Sequence, residues 1–125
     1  MNQLQRILYV EDDPDIQAVA KLALEVVGGF TVQTCGRGAQ ALQLCVDFAP
    51  DLVLLDVMMP EMDGPSTLAA LRELPGMARI PVVFMTAKVQ FAEITYYKSL
   101  GAREVISKPF DPMLLSDQLR RIWQS

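Results

Sequence analysis

The sequence contains no histidine, which excludes several classes of function at once. Without an imidazole the chain cannot build the usual serine or cysteine triad, and most zinc sites lose their commonest ligand. Its two cysteines, Cys35 and Cys45, have neither Cys-x-x-Cys spacing nor a histidine partner, so we predict free thiols rather than a metal or redox centre. Any histidine in the chemistry of this protein must belong to a partner.

Basic residues and long apolar runs are also scarce. The 11 Lys and Arg residues are outnumbered by 15 Asp and Glu residues, for a net charge of −4. This balance repels the phosphates of nucleic acid, so we expect no direct nucleic-acid contact. The first apolar run is only about five residues long, too short for a secretion signal or a membrane span. We therefore expect a cytoplasmic protein without membrane contact.

The pattern that is present indicates one α/β domain over residues 1–125, with 51% hydrophobic residues. Apolar runs alternate five times with segments of helical period, which is typical of βα repeats around a parallel sheet with helices on both faces. Such a doubly wound sheet has its site outside the carboxyl ends of the strands. The predicted strands are Arg6–Val10, 30–34, 52–55, 80–85 and Glu104–Ser107.

The helices carry their own start signals and apolar stripes. Asp13-Pro14 and Asp111-Pro112 each predict a helix N-cap followed by proline at the first helical position, and Pro65 after Asp63-Gly64 predicts the start of the third helix. Three- and four-residue spacing predicts the buried faces of the first and last helices. These are Ile16, Val19, Ala20, Ala23 and Val27 in the first, and Leu115, Leu119 and Ile122 in the last.

Polar residues follow four of the predicted strands. Carboxylates that converge at the carboxyl ends of the strands repel each other unless a cation lies between them. Lys108 supplies one positive charge, and Mg²⁺ or Mn²⁺, which prefer oxygen ligands, could supply two more. A carboxylate held beside such charges is a competent nucleophile toward phosphorus, and we assign that role to Asp56. The strand-end residues are Glu11, Asp12 and Asp13, then Asp56, Thr86 and Lys108.

Four blocks, in this order, resemble the signature of the response-regulator receiver family of two-component signalling. They are ILYVEDDPDI at 7–16, PDLVLLDVMMPEMDG at 50–64, FMTA at 84–87 and SKPF at 107–110, and the match covers essentially the whole chain. The resemblance implies a flavodoxin-like (βα)5 fold with strand order 2-1-3-4-5. This order is adopted from the fold rather than derived from the residues.

The resemblance also implies a mechanism and its residues. A sensor histidine kinase or a histidine phosphotransfer protein would donate a phosphoryl group to the chain, which would catalyse its own modification without being a turnover enzyme. The implied phosphoacceptor is Asp56, with Mg²⁺ held by Asp12, Asp56 and the backbone carbonyl of Met58, and by Glu11 through water. Thr86, Ala87 and Lys108 would bind the phosphoryl group, and the bond before Pro109 would be cis.

One position departs from the family pattern. Receivers usually switch by moving a threonine together with an aromatic residue three positions before the lysine, and here that position is Val105. A coupled movement of an aromatic side chain is therefore not expected, and Thr86 is the predicted switch residue, with Phe91, Tyr96 and Tyr97 on the fourth helix left open as residues that transmit the change. The face of the fourth helix, fifth strand and fifth helix is implied to bind a downstream protein or a second copy, with the chain a monomer or a weak phosphorylation-dependent homodimer.

Other functions stay open at this point. A phosphatase of the haloacid dehalogenase type would need a second acid two residues after Asp56, where this chain has Met58. A flavodoxin-like carrier of FMN would need a phosphate-binding loop where Glu11 and Asp12 stand. The chain could also act as an unphosphorylated binding module. It could be a stand-alone receiver or the receiver of a longer regulator with an output domain.

Overall fold

The computed structural model describes residues 3–125, so Met1 and Asn2 of the predicted domain lie outside it. Its centre is a five-stranded parallel sheet in the order β2-β1-β3-β4-β5, which confirms the predicted fold class and strand order. The strands are β1 Arg6–Val10, β2 Thr31–Cys35, β3 Leu52–Asp56, β4 Val82–Thr86 and β5 Glu104–Ser107.

Five helices cover the two faces of the sheet. Asp13 caps α1 as predicted, because its carboxylate accepts hydrogen bonds from the backbone N–H groups of Asp15 and Ile16. The predicted start of the last helix was wrong, since Asp111 accepts from the N–H of Met113 within a turn that precedes the helix. The helices are α1 Pro14–Leu22, continued by a π-helical segment Ala23–Val27, α2 Gly38–Phe48, α3 Gly64–Leu71, α4 Phe91–Ser99 and α5 Leu115–Gln124.

The sheet separates two apolar cores, because successive side chains of a strand point to opposite faces. On one face Leu8 and Phe84 pack against residues of α2, α3 and α4. On the other, Tyr9 and Met85 pack against residues of α1 and α5. The central strands β3 and β4 are buried along their whole length, as expected for parallel strands covered on both faces. Both cysteines are free and buried.

The predicted buried stripe of the first helix was partly wrong. Ala20, Ala23 and Leu24 are buried, whereas Val19 is 46% and Val27 is 45% exposed. Beyond Leu22 the chain continues as a π-helix, whose wider turns shift Val27 away from the three- and four-residue period used for the prediction. Val19 precedes this segment and lines an open groove. In α5 the prediction was closer, because Leu115 and Leu119 are fully buried and Ile122 is partly buried.

The topology creates a crevice at one edge of the sheet. All strands are parallel, so their carboxyl ends share one edge, and β1 lies between β2 and β3. The chain therefore leaves β1 and β3 toward opposite sides, which opens a crevice between the two strand ends. Within residues 3–125, no helix has the length and apolar character needed to cross a membrane.

Candidate functional site

Three carboxylates meet at the crevice between β1 and β3. Glu11 and Asp12 follow β1, Asp56 is the last residue of β3, and one carboxylate oxygen from each lies within 4.8 Å of the others. Glu11 is fully buried and Asp56 is 4% exposed, whereas Asp12 is exposed. The cluster thus has two charges inside the fold and one at its mouth.

Among the described residues, Lys108 is the one positively charged residue that contacts this cluster. Its Nζ lies 2.9 Å from Glu11 Oε1 and 3.4 Å from Asp56 Oδ1. Its backbone N–H donates to the carbonyl of Thr86, which extends the pairing of β5 with β4 beyond the strand end. The Lys108–Pro109 peptide bond is cis. Burial lowers the pKa of Lys108, but the hydrogen bond to Glu11 and the charge of Asp56 outweigh it, so the net pKa is raised.

One lysine does not balance the two buried carboxylates. Burial raises the pKa of Asp56 to about 7 and the negative charge of Glu11 adds to the effect, while Lys108 opposes both. The cluster is therefore under electrostatic strain at neutral pH that a further cation would relieve. Carboxylate oxygens with one open, exposed member fit Mg²⁺, which keeps several waters and takes few protein ligands.

The raised pKa predicts how stability depends on pH without metal. Because the folded-state pKa of Asp56 lies above the unfolded value near 3.8, this group stabilises the fold most at low pH, and that contribution is lost as pH rises to about 7. The free energy of unfolding of Asp56→Asn should therefore rise relative to that of the wild type as the pH increases from 4 to 7. The difference should reach between about 1 and 4 kcal/mol at pH 8. Urea unfolding of both proteins in chelator at several pH values measures this difference. A difference independent of pH would contradict the prediction.

The predicted metal-binding and phosphoryl-binding residues line one open cleft of about 270 Å³. Thr86 is buried at the end of β4, and its hydroxyl oxygen accepts a hydrogen bond from the backbone N–H of Lys88 at 3.2 Å. Met58 is 68% exposed at the cleft mouth. Val105 lies apart, on β5 opposite Phe84 and against the core. The cleft is lined by Glu11, Asp12, Asp13, Ile16, Asp56, Met58, Thr86, Ala87 and Lys108.

The loop after Asp56 is folded tightly against it. The N–H of Gly64 donates to the carbonyl of Val57 at 2.8 Å, and Asp63 caps α3 through the N–H of Ser66. A Cβ on Gly64 would lie only 2.8 Å from the backbone oxygen of Asp56 and 2.8 Å from Val57 Cα. Glycine is therefore needed here for close approach, and the start of α3 fixes the backbone next to Asp56.

Two residues that sequence reasoning missed support the site. The Tyr9 hydroxyl, fully buried beneath the cleft, donates to Glu11 Oε1 at 3.2 Å. The Gln17 amide on α1 donates to the carbonyls of Glu11 at 2.9 Å and Cys35 at 3.1 Å, and so ties the ends of β1 and β2 together. Tyr9 had a detectable signal, because residues two apart on a strand share a face. Gln17 had none, since its contacts depend on the tertiary fold.

Comparison with known proteins agrees with this geometry. The family model described as the response regulator receiver domain matches residues 7–120. The chain therefore belongs to the response regulator receiver family, and it is the receiver domain of a two-component response regulator. Among solved structures, the chemotaxis protein CheY4 of Vibrio cholerae has a TM-score of 0.88 and 27% sequence identity to this chain. The match covers 95% of this chain and 98% of that chain. The signal receiver domain of a signal transduction histidine kinase from Syntrophus aciditrophicus has a TM-score of 0.82 and 30% sequence identity. The match covers 96% of this chain and 90% of that chain.

Curated relatives are longer than this chain. The DNA-binding response regulator MtrA of Mycolicibacterium smegmatis is 37% identical over 93% of this chain and 49% of its own length. The transcriptional regulator RpaA of Synechocystis is 36% identical over 86% of this chain and 44% of its own length. The chain thus spans about half the length of these relatives or less. Because they are named as DNA-binding or transcriptional regulators, the comparisons do not support the predicted lack of nucleic-acid contact.

Proposed function

We propose that the chain accepts a phosphoryl group on Asp56, with Mg²⁺ as the required cation, from a phosphohistidine on a partner protein. The observation that carries this proposal is a buried carboxylate, Asp56, within 3.4 Å of a lysine ammonium group in a cleft that is open to solvent. The raised pKa of Asp56 supports it, because strongly perturbed groups in clefts mark sites of chemistry.

The proposed step is an in-line displacement at phosphorus. A carboxylate oxygen of Asp56 forms the new O–P bond while the P–N bond of the donor phosphohistidine breaks, and the leaving imidazole takes up a proton. Lys108 would follow the charge onto the phosphoryl oxygens, and the Thr86 hydroxyl and Ala87 N–H would donate to the others. The Thr86 oxygen can still accept from Lys88 N–H while its proton is donated, so a movement of Thr86 toward the phosphoryl group would couple the site to the segment before α4.

The acidic cluster fits a divalent cation through oxygen donors alone. Asp12, Asp56 and the backbone carbonyl of Met58 would hold Mg²⁺, and Glu11 would reach it through water; Mn²⁺ would suit the same donors. Bound there, the ion supplies positive charge to the phosphoryl oxygens. Before phosphoryl transfer Glu11 would keep its direct contact with Lys108, so that one carboxylate orients the lysine while the other two serve the ion.

An apolar groove beside the cleft would receive the phosphodonor. This groove of about 500 Å³ is lined by Ile16 and Val19 of α1, by Lys108, and by Pro109, Phe110 and Pro112 after β5. Val19 and Leu22 on α1 expose 46% and 62% of their surface, so this helix offers apolar surface beside the cleft. A sensor kinase or phosphotransfer protein bound there would place its histidine over Asp56.

The output would use another face of the domain, the one formed by α4, β5 and α5. Phe91 and Tyr96 on α4 are 86% and 56% exposed, so this face offers apolar surface to a downstream protein or to a second copy after phosphorylation. We further propose that the domain is not a turnover enzyme and acts in the cytoplasm. Its net charge of −4 supports the proposal that any DNA contact of such a regulator lies outside these residues.

Intact mass after incubation with acetyl phosphate tests the proposal. The wild type should gain one phosphoryl group in Mg²⁺ and none in chelator, and Asp56→Asn should gain none in either. Asp51→Asn is a matched control, since Asp51 also stands next to β3 but binds the N–H groups of Gln5 and Arg6 at the other end of the strand. A wild type that gains no mass, or an Asp56→Asn protein that gains as much, would contradict the proposal.

A further inference from the structure

Among the described residues, Tyr9 is the one tyrosine whose hydroxyl contacts the acidic site. Its ring is fully buried between the sheet and the helices α1 and α5, near the carboxyl end of β1 between Leu8 and Val10. The hydroxyl lies 3.2 Å from Glu11 Oε1 and 3.9 Å from the sulfur of Met85. Thioether sulfur is a weak acceptor, so the carboxylate is the partner that matters.

The same oxygen of Glu11 is shared by two donors. Oε1 accepts from the Tyr9 hydroxyl and from Lys108 Nζ at 2.9 Å, and Oε2 accepts from the backbone N–H of Asp13 at 3.2 Å. Glu11 has no exposed surface, so these protein donors stand where water would otherwise bind. Lys108 also reaches Asp56 at 3.4 Å, and its position between the two carboxylates depends on how strongly Glu11 attracts it.

We infer that Tyr9 is a positioning residue for phosphoryl transfer, whose hydroxyl anchors Glu11 so that Lys108 is free to follow the charge on Asp56. The inference rests on the proposed function of Asp56. Without the hydroxyl, Oε1 of Glu11 would keep Lys108 as its only donor. A buried carboxylate that has lost one hydrogen bond holds its remaining donor more firmly, because leaving it unpaired is costly. Lys108 would then stay with Glu11 and reach the phosphoryl oxygens less readily.

A purely structural role for the hydroxyl makes a different prediction. Buried tyrosines usually find a hydrogen-bond partner, and loss of such a bond lowers stability without changing the chemistry. Measuring the rate of phosphorylation distinguishes the positioning role from the structural role. A positioning role lowers the rate constant at saturating donor and saturating Mg²⁺, whereas a structural role changes only the unfolding transition.

Tyr9→Phe keeps the ring and removes only the hydroxyl. Tyr97→Phe is the matched control, since Tyr97 is also buried but packs edge-to-face on Phe84 in the core on the other face of the sheet. At saturating Mg²⁺, Tyr9→Phe should lower the maximal rate of modification by acetyl phosphate about tenfold, and the half-saturating donor concentration should change less than about twofold. Tyr97→Phe should stay within about twofold of the wild type in both.

A second measurement uses the metal-free protein and needs no phosphoryl donor. The ¹⁵Nζ signal of Lys108 should shift in Tyr9→Phe and not in Tyr97→Phe, since only the first variant alters the partner of that ammonium group. An unchanged Lys108 signal together with a wild-type rate would overturn the inference. If the wild type takes up no phosphoryl group, the proposed function fails, while the Lys108 signal still decides whether Tyr9 sets the position of the lysine.

If Tyr9→Phe does not fold, the inference can be tested in the wild-type protein. The Tyr9 hydroxyl proton should be protected from exchange with solvent in the metal-free protein, as expected for a donor held by Glu11. Its NMR signal should move when the protein is phosphorylated, because Lys108 then changes partner. A hydroxyl proton that exchanges freely, or a signal that is identical in both states, would overturn the inference.

Discussion

Lys108→Met should destabilise the metal-free protein by about 3 kcal/mol at pH 8, with a fall in the melting temperature of roughly 10 °C. The lysine Nζ is the cation between Glu11 Oε1 at 2.9 Å and Asp56 Oδ1 at 3.4 Å, and both carboxylates are buried. Methionine fills much of the same volume, so the loss reports mainly the two carboxylates left without a cation. Urea unfolding in chelator measures it.

The pH and the metal give this prediction two internal checks. At pH 5 the loss should be smaller, because the pKa of Asp56 is about 7 and this carboxyl group is then protonated and uncharged. Mg²⁺ should restore part of the stability at pH 8, since a divalent cation in the cluster would replace the missing positive charge. The same variant should be modified poorly by acetyl phosphate even when it is fully folded.

Lys98→Met is the matched control for Lys108→Met. Lys98 forms an ion pair of similar length, 3.1 Å from its Nζ to Glu104 Oε1, but the two side chains are 46% and 39% exposed. Exposed pairs contribute less than about 1 kcal/mol, because water screens them and ordering the side chains opposes them. Similar losses in the two variants would mean that the buried location of Lys108 adds nothing, which would contradict the electrostatic account of the site.

The sheet could be predicted from sequence because its signals are local. Apolar runs indicate β3 and β4, and the predicted bounds of β1 and β5 match the structure. The predictions for β2, β3 and β4 each ended one residue early, and those for β2 and β4 also began one and two residues early, the latter at Ile80 rather than Val82. Pro81 lies in that stretch without an N–H to donate, although its carbonyl accepts from Val53. Proline thus ends the pairing where apolar character alone would extend it.

The helices show where local signals stop being sufficient. Side-chain period predicted that Val19 and Val27 would be buried, yet both are about half exposed. The π-helical segment that shifts the period after Leu22 has no residue signature in this sequence, and it is stabilised by packing on α5 through Leu24, Leu115 and Leu119. Burial there depends on which elements meet, and this is a property of the whole fold.

The candidate site combines both kinds of information. Parallel topology alone brings Glu11, Asp56 and Lys108 to one edge, so the presence of the cluster followed from the strand ends. The sharing of Lys108 between two carboxylates depends on side-chain rotamers that no spacing encodes. The two-residue spacing of Tyr9 and Glu11 indicates a shared face, but their hydrogen bond also depends on rotamers. Tyr9 was predicted only as part of the first strand, and its burial next to a carboxylate in the structure reveals the polar contact.

Asp12 and Asp13 are adjacent, exposed and chemically identical, and the structure separates their roles. Asp12 belongs to the carboxylate cluster, whereas the Asp13 carboxylate accepts from two N–H groups at the start of α1. Asp12→Ala should weaken Mg²⁺ binding at least about tenfold and leave the stability of the metal-free protein unchanged or raised, since it removes a repelling charge. Asp13→Ala should lower that stability by about 1 kcal/mol and change Mg²⁺ affinity by less than about threefold.

Calorimetric titration with MgCl₂ and urea unfolding in chelator, applied to both variants, measure the two properties independently. The expected result is a crossed pattern, in which each substitution affects one property and spares the other. Weaker Mg²⁺ binding in Asp13→Ala of the size expected for Asp12→Ala would make Asp13 a ligand and contradict its assignment as a cap. Unchanged Mg²⁺ binding in Asp12→Ala would instead remove the exposed carboxylate from the metal site, and the ion would then have to be held by Asp56, the Met58 carbonyl and Glu11.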